Sequence, residues 1–231
     1  GGEARHPNPE LDRYLVYRFI RPIHNKYREI RICERDLTGY AVRTLLDNGA
    51  LGDGCVNCHT FCCNDPSRML LQVRSPYGAV MVLARDGRPV KVDTRTALSR
   101  SPGAYSSWHP SGRLVAFSLN RLSQFFHTVG ENRDVFDAHS DLGVYDVAAG
   151  TVTTTEAIAL PDRNETWPAW GADGRSLYFS AAPKLPKDRF REIRYDLMRI
   201  PYVPDTGTWV TLDTVLAADR AGASLLEPRP S

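Results

Sequence analysis

Short stretches of alternating or continuous apolar residues, bounded by turn residues, run along the whole chain. One such pattern occurs twice, as WHPSGRLVAFS at 108–118 and as WGADGRSLYFS at 170–180. Trp, Gly, Arg, Phe and Ser occupy the same places in both copies. Each copy predicts a strand, a tight turn at Ser-Gly or Asp-Gly, and a second strand. The sequence therefore predicts a repeated antiparallel hairpin.

A second hairpin pattern follows each copy, at 141–160 and at 194–214. Two hairpins make a four-stranded unit, and units repeated at intervals of about forty to sixty residues are typical of β-propeller blades. The predicted fold class is all-β, a β-propeller of four-stranded blades. A β-sandwich with a chance repeat is the alternative.

The N-terminal part follows the same pattern with one strand fewer. Three strands are predicted at 13–20, 27–36 and 39–46, as a blade that lacks its innermost strand. Another repeat begins at EPRPS, 227–231, so about three and a half blades are predicted, against roughly four in a closed ring. We expect segment 1–54 to hold outer strands of the incomplete blade. Residues 55–231 would hold the remaining blades of the same continuous domain, incomplete at its C-terminal end.

Composition and charge exclude some classes of function. The chain has 231 residues, 42% hydrophobic and 24% charged, with a net charge of +2. Without a basic stripe interleaved with aromatics, nucleic acid is not an expected partner. No stretch approaches the roughly 18 apolar residues of a membrane span. Because the chain begins with Gly1 rather than methionine, a processed or incomplete chain without its export signal is expected.

The strongest chemical signal is the C-x-x-C-H motif at Cys55–His59. This spacing suits haem c, because two cysteines three positions apart can each bond a vinyl group while the next residue offers an imidazole to the iron. Zinc is the alternative, with Cys55, Cys58, His59 and Cys62 or Cys63 as ligands. A thioredoxin-like redox pair would need a neighbouring βαβ pattern, which is not visible.

The repeat offers a candidate for the second iron ligand. If Cys58-His59 is aligned with Trp108-His109, then His109 lies one blade away from His59 and could reach the opposite face of a haem. Gly171, at that position in the third copy, would leave room for the macrocycle. In the other interpretation His109 is a turn residue that hydrogen-bonds within its own blade.

Other polar residues are weaker candidates. His127 and Met69 are second choices for the distal ligand, with a partly buried histidine and a core methionine as the alternatives. His24 and His139 are expected at the surface. Asp134, Asp137 and Asp141 could gather around Ca²⁺, but without a calcium-loop spacing a solvated loop is favoured. No hydrolytic motif occurs, and a disulfide among Cys33, Cys62 and Cys63 is left open.

The two copies resemble the repeats of TolB-like propellers, which have Trp, a Pro-Asp-Gly turn and an apolar strand ending in Phe-Ser. Ser111 stands in place of the aspartate in one copy, and Ala172 in place of the proline in the other. From about Tyr14 to Ser231 the chain resembles a bacterial group of exported propeller proteins that carry C-x-x-C-H. This resemblance implies a periplasmic or cell-surface c-type cytochrome, without a defined reaction.

The primary hypothesis is a mono-haem c-type cytochrome on a propeller scaffold, an electron carrier rather than a catalyst. It would pass single electrons between redox proteins outside the cytoplasm, with a larger membrane-associated complex among the partners considered. Cys55 and Cys58 would anchor covalent haem c, with His59 as the proximal and His109 as the distal ligand. Two alternatives stay open: a TolB-like protein-binding or scaffolding module with a structural metal or haem, and a haem enzyme with an open iron position.

Overall fold

The computed structural model describes residues 13–20, 29–75, 78–85, 88–95, 103–125 and 134–230. Within these ranges most residues with regular structure lie in β-strands, as the alternating patterns predict. The strands are β1 Tyr14–Phe19, β2 Arg31–Asp36, β3 Val42–Asp47, β4 Cys55–Cys62, β5 Asp65–Ser75, β6 Gly78–Arg85, β7 Arg88–Val92, β8 Gly103–Trp108, β9 Leu114–Phe125, β10 Asp134–Asp146, β11 Thr151–Thr153, β12 Arg163–Trp170, β13 Ser176–Pro183, β14 Asp196–Val203, β15 Thr208–Trp209 and β16 Asp213–Leu216. Helical turns lie at Asn48–Leu51, Glu156–Ile158, Lys187–Glu192 and, as α1, at Ala218–Ala221.

The strands form separate antiparallel sheets in chain order. Strands β4 to β7 make one four-stranded sheet and β8 to β11 another. Strands β12 to β15 make a third, in which β16 also pairs with β14. Strands β1 to β3 make a three-stranded sheet, as predicted for the first repeat. Both predicted outer hairpins are confirmed, as β10–β11 and β14–β15.

The chain divides into two compact units, Gly1–Asn57 with Val73–Tyr77, and Cys58–Gln72 with Gly78–Ser231. In the first unit the buried Asn48 amide joins chain segments, because its Oδ1 accepts from the Ile30 N–H at 3.2 Å and its Nδ2 donates to the Gly54 carbonyl at 3.1 Å. The predicted division into 1–54 and 55–231 stays a prediction.

The core of the second unit lies on both faces of strand β9. Val115, Phe117 and Leu119 point into a cluster that contains Leu70 and Trp108. Ala116, on the opposite face of the strand, belongs to a second cluster with Leu142, Ile158, Leu177, Phe179 and Ile200. Burial of both faces explains why LVAF is a continuous apolar run rather than an alternating one. Among the described residues, no helix is long and apolar enough to cross a membrane.

Candidate functional site

The inner strands of the three larger sheets share one irregularity, a non-glycine residue with positive φ. These residues are Cys58 on β4 (φ 51°), Tyr105 on β8 (φ 50°) and Trp167 on β12 (φ 50°). On β8, Tyr105 and Ser106 together oppose Phe117, because Ala104 pairs with Ser118 and Ser107 with Ala116. On β12, Trp167 and Pro168 likewise oppose Phe179. Each of these two inner strands therefore carries a β-bulge at the same place. On β4, Cys58 has the same positive φ as the first residue of each bulge.

Serine hydroxyl groups from the neighbouring sheet, β8 to β11, support the bulge on β12. The backbone N–H of Trp167 donates to Ser118 Oγ at 3.0 Å, and the N–H of Trp170 donates to Ser107 Oγ at 3.0 Å. Each left-handed non-glycine residue costs about 1–2 kcal/mol, so the bulge needs such compensation. The first bond satisfies an N–H group within the irregular pairing, and the second joins the regularly paired end of β12 to the same neighbouring sheet.

The shared position of positive φ corrects the predicted alignment of the repeats. By backbone conformation Cys58 corresponds to Tyr105 and Trp167, not to Trp108. The prediction was wrong because the turns differ in length: two residues, 63–64, join β4 to β5, whereas 109–113 join β8 to β9. Because the turns differ in length, the sequence alignment placed Cys58 at the end of the inner strand, opposite Trp108, instead of opposite Tyr105.

Cys58, Tyr105 and Trp167, the positive-φ residues of the three inner strands, all line one pocket of about 330 Å³, here called the central pocket. This volume is at the lower end of the range for small-ligand sites. Glu227, which also has positive φ (52°), contributes a fourth position. The lining consists of the pairs Cys58-His59, Tyr105-Ser106, Trp167-Pro168 and Glu227-Pro228, together with Thr60 and Arg229.

Aromatic rings form much of the wall of the central pocket. The Tyr105 and Trp167 rings lie 5.2 Å apart between centroids, tilted by 39°. His59 makes an edge contact with Phe61 at 6.0 Å between ring centroids. The sequence patterns missed Tyr105 and Trp167, because their role follows from the bulge rather than from residue type.

His109 lies in the β8–β9 turn and is not among the residues that line the central pocket. Its Nε2 lies 2.9 Å from the Gly174 carbonyl oxygen, which can only accept, so Nε2 carries the proton. Its Nδ1 then accepts from the Ser111 N–H at 3.1 Å. Neither nitrogen has a free lone pair for a metal, so the geometry favours the turn interpretation of His109. Its distal-ligand role stays a prediction that would require both bonds to break.

The remaining candidates divide between core and surface. Met69 is 8% exposed and belongs to the core. His139 is 35% exposed at its side chain and lies 3.0 Å from Asp141 Oδ2. Asp137 and Asp141 lie on β10 and are each 4% exposed, so the prediction of a solvated loop was wrong for them. Asp134 begins the same strand. His24 and His127 lie outside the described residues.

All five cysteines are described, and none of them forms a disulfide. Cys33 and Cys62 are buried, whereas Cys63 is exposed and its thiol donates to the Pro110 carbonyl at 3.3 Å. Burial raises the pKa of the Cys62 thiol. Within the described ranges, no three His, Cys, Asp or Glu side chains are grouped so that they could hold a metal ion. The zinc arrangement considered from the sequence is therefore not formed there.

Comparison with solved structures identifies the architecture. A prolyl endopeptidase matches with a TM-score of 0.51 and 13% identity, over 88% of this chain and 27% of its own. A puromycin-hydrolysing peptidase of Mycobacterium tuberculosis matches with a TM-score of 0.52 and 12% identity, over 89% of this chain and 28% of its own. The fold is a β-propeller. At these identities the similarity shows the fold alone, and the chain spans just over a quarter of either peptidase.

TolB from Acinetobacter baumannii also matches, with a TM-score of 0.36 and 12% identity over 87% of this chain and 52% of its own. This structural similarity is too low to support a closer relationship within the propellers. No protein-family model and no curated protein sequence matches the chain. The function must therefore be argued from the site residues of this propeller.

Proposed function

We propose that this propeller carries a covalently attached haem c at the central pocket and transfers single electrons. One observation carries the proposal: Cys58 of the C-x-x-C-H motif has the positive φ of the bulge residues Tyr105 and Trp167, and Cys58 and His59 line the central pocket with them. The motif thus occupies the position that Tyr105-Ser106 and Trp167-Pro168 hold in the following sheets. Equivalent inner-strand positions of successive blades are common ligand-facing positions in a repeat architecture.

The residues present suit this cofactor chemically. Cys55 and Cys58 take part in no disulfide, as thioether formation requires, and both are partly exposed. His59, the next residue, would offer its imidazole to the iron. Tyr105 and Trp167 supply flat apolar surfaces beside the motif. Bound haem would supply one-electron redox chemistry, and the polarity of the surrounding side chains would tune its potential.

The partners and location follow from the same proposal. A single-electron carrier requires a donor and an acceptor protein, and weak redox encounters typically use small interfaces. With a net charge of only +2, the chain offers little overall electrostatic steering toward either of them. Covalent haem attachment implies assembly outside the cytoplasm, so we propose a periplasmic or cell-surface location.

Covalent attachment is tested by expressing the protein with a c-type cytochrome maturation system and then extracting it with acid acetone. We expect a pyridine haemochrome spectrum from the extracted protein, because thioether bonds survive this treatment. Cys55→Ser and Cys58→Ser should each remove one attachment, and the double variant should lose the haem completely on extraction. Cys63→Ser, the same chemical change outside the motif, is the matched control and should retain all of it. A colourless wild-type protein after maturation would refute the proposal.

A second candidate, a haem enzyme with an open iron position, is favoured by the bonding of His109. Among the described residues of the central pocket, His59 is the one imidazole. We therefore expect the reduced, haem-loaded protein to bind carbon monoxide, and His109→Ala to leave its visible spectrum unchanged. Conversion of a low-spin into a high-spin spectrum by His109→Ala would instead establish His109 as the distal ligand and support a pure electron carrier.

A further inference from the structure

Two adjacent cysteines, Cys62 and Cys63, lie where β4 ends and turns into β5, and we call them the thiol pair. Cys62 is 1% exposed and belongs to the core cluster around β9, whereas Cys63 is exposed. Neither cysteine is among the residues that line the central pocket. The proposed haem attachment therefore leaves the chemistry of both thiols unused.

The turn that contains Cys63 has an unfavourable backbone conformation. Its two residues are Cys63 and Asn64, with φ values of 51° and 59°. Positive φ at both positions is the pattern of a type I′ hairpin turn, which favours asparagine and glycine. Asn64 suits this pattern, whereas a left-handed backbone at Cys63 costs about 1–2 kcal/mol. Strained residues of this kind are frequent at functional sites, so the position of Cys63 requires an explanation.

Both thiols lie against the same neighbouring turn, residues 109–113. Side chains of adjacent residues in a regular strand point to opposite faces of the sheet. Here the Cys63 thiol donates to the Pro110 carbonyl at 3.3 Å. A Cβ added to Gly112 would lie 2.7 Å from Cys62 Sγ, which places this sulfur atom beside the same turn. The two sulfur atoms are therefore held on one side of the chain.

The surroundings of the two thiols decide which of them reacts first. Burial raises the pKa of the Cys62 thiol, the Arg68 guanidinium opposes this shift, and the neighbouring Cys63 thiol adds to it. Arg68 is fixed at this place because it also donates to the Gly112 carbonyl. A buried thiol with a raised pKa is inert towards reagents in solution. The exposed Cys63 is therefore the thiol that an external reagent meets first.

A disulfide between adjacent residues differs physically from a structural disulfide. Adjacent Cα atoms lie about 3.8 Å apart across a trans peptide, less than the roughly 4.4–6.8 Å of ordinary disulfides, so the small ring is strained and easily reduced. Because it encloses almost no loop, it hardly restricts the unfolded chain and adds little stability. Strained and accessible disulfides are the ones used in redox exchange.

We propose that the thiol pair is a redox site that closes reversibly to a Cys62–Cys63 disulfide, with a low-molecular-weight disulfide such as glutathione disulfide as the oxidant. The Cys63 thiolate attacks the external disulfide, forms a mixed disulfide and releases one thiolate. Cys62, as its thiolate, then attacks Cys63 Sγ, closes the ring and releases the second. The two protein thiols are oxidised and their protons pass to the two released thiolates, so one external disulfide is reduced to two thiols. This site requires no haem.

Peptide mapping after treatment with glutathione disulfide tests the proposal. The full chain carries Cys55→Ser and Cys58→Ser, because these motif thiols lie in the same tryptic peptide, 44–68, and would react as well. We expect this peptide to lose two hydrogen atoms, to carry no glutathione, and to regain both thiols in excess reduced glutathione. A stable glutathione adduct, two unreacted thiols, a ring that reduced glutathione cannot open, or a cross-link to Cys33 would overturn the proposal.

Single-thiol variants of that protein separate the two steps. With Cys62→Ala the mixed disulfide cannot be resolved, so Cys63 should retain one glutathione. With Cys63→Ala the buried Cys62 should react about tenfold more slowly or not at all. Cys33→Ala, the same change on β2, is the matched control and should leave ring closure unchanged. Equally fast modification of Cys62 and Cys63 would contradict the assigned order of attack. If Cys62→Ala fails to fold, the peptide mapping of the protein with both thiols still decides the proposal.

Discussion

Replacing Glu165 by glutamine should stabilise the protein by about 3 kcal/mol at pH 8.5 and have little effect at pH 5. Glu165 lies on β12, is 1% exposed, and neither carboxyl oxygen has a hydrogen-bond partner among the described residues. Burial raises its pKa from 4.5 to about 7, and the neighbouring Asp141 adds to this shift. Arg163, Lys184 and the backbone N–H of Leu160, which approaches the carboxyl without full hydrogen-bond geometry, oppose it. At roughly 1.4 kcal/mol per pH unit, the charged form carries about 3 kcal/mol of penalty.

The direction of the pH dependence follows from proton uptake on folding. Between pH 4.5 and about 7 the folded protein holds this proton and the unfolded chain does not, so stability falls as pH rises through that window. Glutamine cannot ionise, so the variant should lose this part of the slope. Burial also raises the pKa of Asp141, and Asp141 should therefore leave a slope of the same sign.

Urea unfolding at several pH values measures the effect of Glu165→Gln. Glu156→Gln, the same substitution at an exposed position, is the control and should follow the wild type across the range. Parallel stability curves for Glu165→Gln and wild type would show that Glu165 is not buried as a neutral acid.

The blades could be predicted because each repeat contains both the apolar residues that become buried and the residues that form the turn. Trp108 and Trp170 end inner strands, Gly112 and Gly174 have positive φ in the turns, and Phe117 and Phe179 are fully buried. These are local requirements, so they recur wherever the same hairpin recurs. The three N-terminal strands could be recognised for the same reason, from alternation and turn residues alone.

The site was predictable only in part. The C-x-x-C-H spacing marked Cys58 and His59, but nothing in residue type marks the positive φ of Cys58 or the bulges at Tyr105 and Trp167. Cys58, Tyr105 and Trp167 are neither glycine nor asparagine, the residues expected at positive φ. Around Trp167, the bulge is supported by Ser118 from a different sheet, and such contacts between distant segments leave no short-range pattern.

Replacing Gly174 by alanine should destabilise the protein by about 4 kcal/mol, because it combines two costs. Gly174 has a φ of 68°, where a side chain costs about 1–2 kcal/mol. An added Cβ would also lie 2.5 Å from His109 Nε2 and 2.7 Å from its Cε1. The imidazole would have to move, which breaks its bonds to Gly174 and Ser111 and its edge contact with Trp170 at 4.7 Å. Each lost buried hydrogen bond costs about 1 kcal/mol.

Three further variants, Gly150→Ala, His109→Ala and His109→Ala with Gly174→Ala, separate these costs. Gly150→Ala has the same φ of 68° and meets nothing within 4 Å, so it should show only the backbone cost of about 1–2 kcal/mol. In a His109→Ala background the clash is absent, so Gly174→Ala should there cost no more than Gly150→Ala does. Chemical unfolding of the four variants gives the coupling between Gly174 and His109. If Gly174→Ala still cost about 4 kcal/mol in the His109→Ala background, His109 would not occupy this turn. It would then again be a candidate iron ligand.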